Sequence, residues 1–309
     1  MKIGIIGSGN VGITTAFALA ERGTGDVMLY DVVEGRAKGK ALDLIEAAPL
    51  RRYDRRIIGV ERFADLLDAD VFVIAAGKPR RASMKRTDLL DDNLPVVTDI
   101  ARRLKAEYKK PEPPIVVVLT EPVDLMTLAV TKSTGWPREK VIGVGAMLSA
   151  ARLRHFIARE LNLDPIDIDA MVVGTHAEGQ MVFLERYCRV SGLPLSQFLK
   201  EQQISELLQK TEAAGSLIVD LAKTGSSFYT PGAAVGAVID SIAKDANRIM
   251  PVSIQLRGEF GAEGLCASVP AKLGKGGVKQ IYKLQLTAEE KTAFKRSVEF
   301  QKPFAAKIG

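Results

Sequence analysis

Lys2-Ile3-Gly4-Ile5-Ile6-Gly7-Ser8-Gly9-Asn10-Val11-Gly12, and the run from there to Asp31, read as one device: buried strand, glycine turn, helix, second strand Val27-Met28-Leu29-Tyr30, and an acid at its end. Gly7 permits the tight turn, and Gly9 lets backbone amides approach a pyrophosphate. Gly12 lets the helix pack on the strand with its N-terminus, Asn10 and Val11 included, facing phosphate charge. Asp31 then receives ribose hydroxyls. Strand, helix and acid at the expected spacing make this a dinucleotide site rather than a chance glycine pattern. A carboxylate at that place repels a 2′-phosphate, so NAD is favoured over NADP. Arg36 and Lys38 follow closely and either soften that preference or are simply solvated.

The same alternation continues outward. Apolar strands are predicted at 71–75 and 115–119 with a helix at 91–107 between them, which gives a Rossmann doubly wound parallel sheet of α/β class. Lys109-Lys110-Pro111-Glu112-Pro113-Pro114 ends that helix and starts the next strand. A last strand at 141–145 runs into a new pattern, and the domain boundary is expected there: 1–145 for the dinucleotide, 146–309 as a C-terminal α+β substrate domain. In that second half, helices are expected at 149–161, 196–221, 233–245 and from 287 onward. Strands are expected at 170–174, 181–190, 252–257 and 267–273. No internal repeat or low-complexity tract stands out.

A chain of 309 residues, 47% apolar, buries a full core and usually divides in two. The first strand begins almost at Met1 with no charged leader before an apolar run, so a cleaved signal is not expected. No apolar run is long enough to span a bilayer. Cys188 and Cys266 lie far apart in apolar stretches and are expected as free buried thiols, which points to the cytoplasm. The net charge of +6 and the crowding of Arg51, Arg52, Arg55 and Arg56 raise the question of nucleic acid. Aromatic stacking residues are not interleaved there, so a solvated patch is the better reading.

Two segments carry candidate chemistry. The basic loop at 77–90, with Arg80, Arg81 and Arg86, follows a strand whose carboxyl end opens on the cofactor crevice. Guanidinium groups make planar bidentate contacts with carboxylates, so the loop suits a small acid substrate; a solvated charge run is the bland alternative. The chain has only two histidines, His155 and His176, so the search for a general acid or base of that kind is short. His155 lies in a helical run beside Arg152 and Arg154, where a solvated or packing role is expected. His176 sits in Gly174-Thr175-His176-Ala177-Glu178-Gly179 at a strand end, and by itself fits catalysis and structure equally.

Together these pieces resemble the lactate and malate dehydrogenase family over nearly the whole chain. Phe228-Tyr229-Thr230-Pro231-Gly232, Pro251-Val252-Ser253, Gly258-Glu259-Phe260-Gly261, Val269-Pro270 and Leu273-Gly274-Lys275-Gly276-Gly277-Val278 look like malate-type members. The resemblance implies that His176 is the catalytic base and acid, and that the 79–90 loop is a substrate lid. It further implies that Arg80 grips a second carboxylate, Arg86 polarises the reacting oxygen and Arg152 forks the C1 carboxylate, with Ser227 also on the substrate side. Lactate-type members usually carry glutamine at the Arg80 position, so malate or oxaloacetate fits best. Gly77, Asn93 and Thr120 join the implied cofactor set, Asn93 fixing the nicotinamide end unless it is a helix-surface residue. A homodimer or homotetramer is implied, with a small dicarboxylate as substrate and no metal, nucleic acid or membrane partner.

Two residues depart from the family pattern. The acid that orients the histidine lies three residues before Arg152, and here that position is Ser149; the asparagine of Asn-Pro-Val-Asp is Glu121 in Thr120-Glu121-Pro122-Val123-Asp124. Losing the acid lowers the histidine's proton affinity and frees its tautomer. A neutral and an acidic site have become an acidic and a neutral one, so one carboxylate is kept, and Glu121 is expected to compensate by pairing with His176 or a lid arginine, with Ser149 hydrogen-bonding the ring. The opposing reading is a cofactor-binding paralogue with weak or lost turnover, supported also by Ala82-Ser83 where the lid often has Pro-Gly. A dehydrogenase for another 2-hydroxy acid is a second alternative. An NAD-dependent glycosidase is disfavoured, because its Cys-Asn and metal-ligating histidine pattern is not found.

Overall fold

The computed structural model describes residues 1–81, 84–223 and 225–309, so the Ala82-Ser83 departure lies outside the described residues. Six strands, β1 (Lys2–Ile6), β2 (Asp26–Tyr30), β3 (Ile57–Val60), β4 (Val71–Ile74), β5 (Ile115–Val118) and β6 (Val141–Gly143), run parallel in the order 3-2-1-4-5-6. Their sequences explain why. In β4, Val71 and Val73 enter one apolar cluster while Phe72 and Ile74 enter the other, and β5 divides the same way. Strands buried on both faces need apolar residues at every position and helices on both sides.

The helices α1 (Asn10–Glu21), α2 (Arg36–Arg51), α3 (Leu90–Glu107) and α4 (Val123–Thr134) supply that cover, and α5 (Ala146–Leu161) opens the second half. Gly7 has φ +101°, and a Cβ on Gly12 would run into the Gly7 carbonyl oxygen, so α1 sits directly on the turn. The strand order reverses between β1 and β4, and the crevice beyond their carboxyl ends is where ligands of such sheets bind.

The second half does not build a separate sheet. Its short strands are β7 (Ile168–Asp169), β8 (Val172–Gly174), β9 (Met181–Phe183), β10 (Arg189–Val190) and β11 (Leu193–Pro194). After α6 (Glu201–Ala222) and α7 (Tyr229–Ala243) come β12 (Arg248–Arg257), β13 (Glu263–Gly274) and β14 (Gly277–Ile281), then α8 (Ala288–Glu299) and α9 (Lys302–Ala305). Strand β12 pairs antiparallel with β6 through Ser253 and Gly143, and β13, β8 and β9 extend the same sheet. Only β7, β10 and β11 form a small sheet of their own.

Three sequence expectations need correction. The stretch 181–190 is not one strand: a 3₁₀ turn at Glu185–Tyr187 breaks it, because Arg186 turns out to pair with Glu290 and the Gln285 carbonyl. The helix expected from 196 starts at Glu201, where the Lys200 amide donates to the Gln203 side chain at 3.0 Å and ends the preceding turn. By contrast α7 begins earlier than expected, at Tyr229, since Pro231 falls in its first turn where no N–H is needed. Cys188 and Cys266 are free and buried, and burial pushes both thiols up, Cys188 to about 11. Among the described residues no helix is long and apolar enough to cross a membrane.

Candidate active site

A cavity of about 250 Å³ opens beyond the sheet's carboxyl edge, between Gly9, Asn10 and Val11 on one wall and Arg152, His176 and Ser227 on the other. Gly77, Arg80, Arg86, Thr120 and Glu121 also line it. Seven chain segments meet there: the turn after β1, the loop after β4, the turn after β5, the first turns of α5, the turn after β8, α6 at Gly215, and residues 225–231 leading into α7.

On the glycine wall, space exists for a bound group. A Cβ on Gly9 would meet nothing within 4 Å, and α1 has no side-chain cap, so its leading amides face the cavity unclaimed by a side chain. The Asp31 carboxylate is turned onto this wall: Oδ2 accepts from the Ser8 amide at 2.8 Å and Ser8 Oγ at 3.0 Å, Oδ1 from the Val33 amide at 3.0 Å. Burial pushes Asp31 up, but the Val33 and Ser8 bonds outweigh it and hold the carboxyl below its usual range. Arg36 stands 3.5 Å away. The glycine wall therefore fits a dinucleotide.

Thr120 Oγ1 donates to the Ala76 carbonyl at 2.7 Å, tying the ends of β4 and β5 together. Asn93 is not a helix-surface residue: it is fully buried, accepts from the Lys78 amide at 2.7 Å and donates to the Glu121 carbonyl at 2.8 Å. It clamps the root of the basic loop to the Glu121 turn.

His176 is held from its backbone. The Thr175 amide donates to Ser297 Oγ at 2.8 Å, Thr175 Oγ1 donates to the Ser297 carbonyl at 2.8 Å, and the His176 amide donates to Asp124 Oδ2 at 2.6 Å. Ser253 Oγ donates to the other Asp124 oxygen. Burial pushes the Asp124 carboxyl up to about 7, and those two bonds oppose it. The imidazole is 2% exposed. Its Nδ1 lies 3.3 Å from Ser149 Oγ, and Nε2 lies 3.6 Å from Glu121 Oε1 with no hydrogen-bond partner among the described residues. Burial, then the guanidiniums of Arg86, Arg152 and Arg80, drive the ring well below its ordinary pKa, so it is neutral.

The arginines surround that ring. Arg86 Nε is 3.3 Å from Glu121 Oε1, and its Nη1 donates to Glu178 Oε1. Arg80 Nη1 donates to the same Glu178 oxygen at 2.7 Å and to Ser216 Oγ at 3.3 Å. Both guanidiniums are buried where they line the cavity. Ser149 and Arg152 are three apart on α5 and share one face. Arg152 is different: Nε and Nη1 are buried with no partner among the described residues, and burial with Arg86 nearby pushes its pKa down to about 10. Glu121 is driven up by burial, with Arg86 pulling it back.

Sequence reasoning missed four participants. Glu178 lies two residues past His176 in the same turn, and that adjacency was the available signal. Asp124, at the start of α4, was visible only as part of a motif. Gly145 and Gly215 act by lacking a side chain: a Cβ would stand 2.8 Å from His176 Cβ at the first and 2.7 Å from Arg86 Nη2 at the second. His155 is exposed, its ring against Phe156.

Residues 1–143 match the family described as lactate/malate dehydrogenase, NAD binding domain, and residues 147–302 match lactate/malate dehydrogenase, alpha/beta C-terminal domain. A malate dehydrogenase of Heliobacterium modesticaldum is 40% identical over 308 residues, covering 100% of this chain and 98% of its own. The crystal structure of Cryptosporidium parvum malate dehydrogenase superposes with TM-score 0.95 at 34% identity, covering 99% and 98%. The lactate dehydrogenase of the same organism, solved with lactic acid and nicotinamide adenine dinucleotide, gives 0.93 at 31%, covering 99% and 97%. Glycine turn, buried imidazole and converging guanidiniums thus lie in a chain that belongs to the lactate/malate dehydrogenase family.

Proposed function

We propose that this chain interconverts malate and oxaloacetate with NAD and NADH, the nicotinamide supplying the hydride acceptor or donor when bound. The observation that carries the reading is the convergence of Arg80, Arg86 and Arg152 on one cavity with Nε2 of His176, which has no hydrogen-bond partner among the described residues. Catalysis falls to His176, Arg86 and Glu121, and substrate binding to Arg80, Arg86, Arg152 and Ser227. Gly7, Gly9, Asn10, Val11, Gly12, Asp31, Gly77, Asn93 and Thr120 form the cofactor side. We place the division between the two halves at 145/146.

Neutral His176 is ready to accept the hydroxyl proton of malate at Nε2 and to return it in reduction. The missing carboxylate on Nδ1 is replaced by the weaker hydrogen bond with Ser149. Glu121 Oε1 stands 3.6 Å from the other nitrogen, near enough for its carboxylate to act as counter-charge when the ring takes a proton. Reduction needs a protonated ring, and the Glu121 carboxylate favours that form. Arg86 bridges Glu121 to Glu178 and presents positive charge where a reacting oxygen develops negative charge.

Arg80 separates malate from lactate chemistry, because a second carboxylate needs a cation that a monocarboxylate does not. Full-length likeness at 40% identity to named malate dehydrogenases favours turnover over the paralogue reading. Exposed Leu42, Ile45 and Leu50 on α2 support a homodimer or homotetramer. The free buried thiols support a cytoplasmic location.

Stopped-flow absorbance with NADH tests the function. Oxaloacetate is expected to oxidise NADH with kcat/KM at least about a hundredfold above pyruvate. NADH bound tightly but never oxidised by oxaloacetate, or oxidised faster by pyruvate, would end the reading.

A further inference from the structure

Three guanidiniums face the cavity, and they are not equally available. Arg152 holds two buried nitrogens with no partner among the described residues, while one oxygen of Glu178 accepts from both Arg80 Nη1 and Arg86 Nη1. Arg80, the donor assigned to the substrate's second carboxylate, is thus occupied by a carboxylate of the protein that also holds Arg86. We infer that Glu178 is an internal anion that holds the Arg80–Arg86 pair until a second substrate carboxylate displaces it, and so sets affinity for dicarboxylates against monocarboxylates. The inference rests on the dicarboxylate reading above and deepens it.

The surroundings allow such an exchange. Glu178 is 32% exposed at its side chain, whereas Arg80 and Arg86 are 7% and 4% exposed, so the acid has water to move into and the arginines do not. Its backbone stays fixed meanwhile, because the next amide, Gly179, donates to Glu212 on α6, and Thr175 is pinned to Ser297. The Arg80 position is also braced without Glu178, by Ser216 Oγ and the Met84 carbonyl. A charge-assisted bond to each arginine must be given up when Glu178 leaves, and an incoming carboxylate regains both. A monocarboxylate seated on Arg152 leaves Glu178 in place.

Charge argues the same way. Three guanidiniums against Glu121 and Glu178 leave a single positive charge, fewer than two substrate carboxylates carry. Removing Glu178's charge favours the doubly charged ligand, and removing its hydrogen bonds frees the two donors that ligand needs.

Isothermal titration of the NADH complex tests this with inert ligands, malonate as dicarboxylate and oxamate as monocarboxylate. The isosteric E178Q is expected to tighten malonate by about tenfold while oxamate changes less than about twofold. E178D, which keeps charge but shortens reach, is expected to tighten malonate by less, in the same direction. In turnover, E178Q is expected to lower KM for oxaloacetate more than it changes kcat. Malonate binding unchanged or weakened in E178Q would overturn the inference, as would equal tightening of both ligands, which is a general field effect. Because binding is read without turnover, a wild-type protein that fails to oxidise NADH would count against the function and not against the exchange.

Discussion

The glycine wall and the imidazole wall of one cavity were built under different constraints. On the first, the turn is a matter of backbone: the positive φ of Gly7, the contact of Gly12 with the Gly7 carbonyl, the open face of Gly9, and the Ser8 and Val33 amides that fix Asp31. On the second, the backbone frame is likewise firm, but the charges have been redistributed, Ser149 standing on Nδ1 of His176 and Glu121 near Nε2. A backbone turn tolerates no substitute for glycine, whereas an electrostatic field can be assembled from carboxylates at more than one place. One wall is fixed by sterics, the other by a balance.

The contrast is sharpest when its imidazole is removed. H176N is expected to lower kcat by about two to four orders of magnitude with NADH affinity unchanged, read by single-turnover kinetics and by fluorescence titration. Loss of NADH affinity instead would mean that the two walls are not separable. Next in size, R80Q is expected to cost about two to three orders in kcat/KM for oxaloacetate and little for pyruvate, since breaking a buried charge pair costs about 3–5 kcal/mol. Equal losses for both acids would deny Arg80 its selective role.

On the glycine wall, G12A forces α1 off β1. A melting temperature lower by several degrees is expected, equivalent to about 1–3 kcal/mol, together with weaker NADH binding. A variant as stable as the parent would show that the packing is not as tight as described. Smaller still, S149D returns a carboxylate to Nδ1. An anion beside the ring favours its protonated form, so the pH above which oxaloacetate reduction fails should rise by about one unit. A fall, or no movement, would mean that Ser149 is not where the ring's proton affinity is set.

The same contrast governs what could be read from the chain. The strands 2–6, 71–74 and 115–118 were legible because burial on both faces leaves uninterrupted apolar runs, and the helix at Thr287 because a serviceable cap precedes it. The break at Glu185–Tyr187 was not, since it depends on Arg186 reaching Glu290, about a hundred residues away. The continuation of one sheet from β6 into β12 likewise rests on a pairing that no local pattern announces. At the site, His176 was found through its scarcity and its place at a strand end. Glu178 was overlooked because its role exists only after the loop after β4 and the turn after β8 are brought together. Asn93 showed the reverse, since a residue in a helix pattern looks like surface until its neighbours bury it.

The account turns on the Glu121 carboxylate stabilising the protonated His176 ring in place of the acid that Ser149 has replaced. The pH profile of oxaloacetate reduction by E121Q tests it most directly. With the acid neutralised, the ring loses its nearby counter-charge, so reduction at neutral pH is expected to fall about tenfold and its pH limit to move to lower pH, while malate oxidation, which needs the neutral ring, is spared. Turnover and pH profile both unchanged in E121Q would contradict the account.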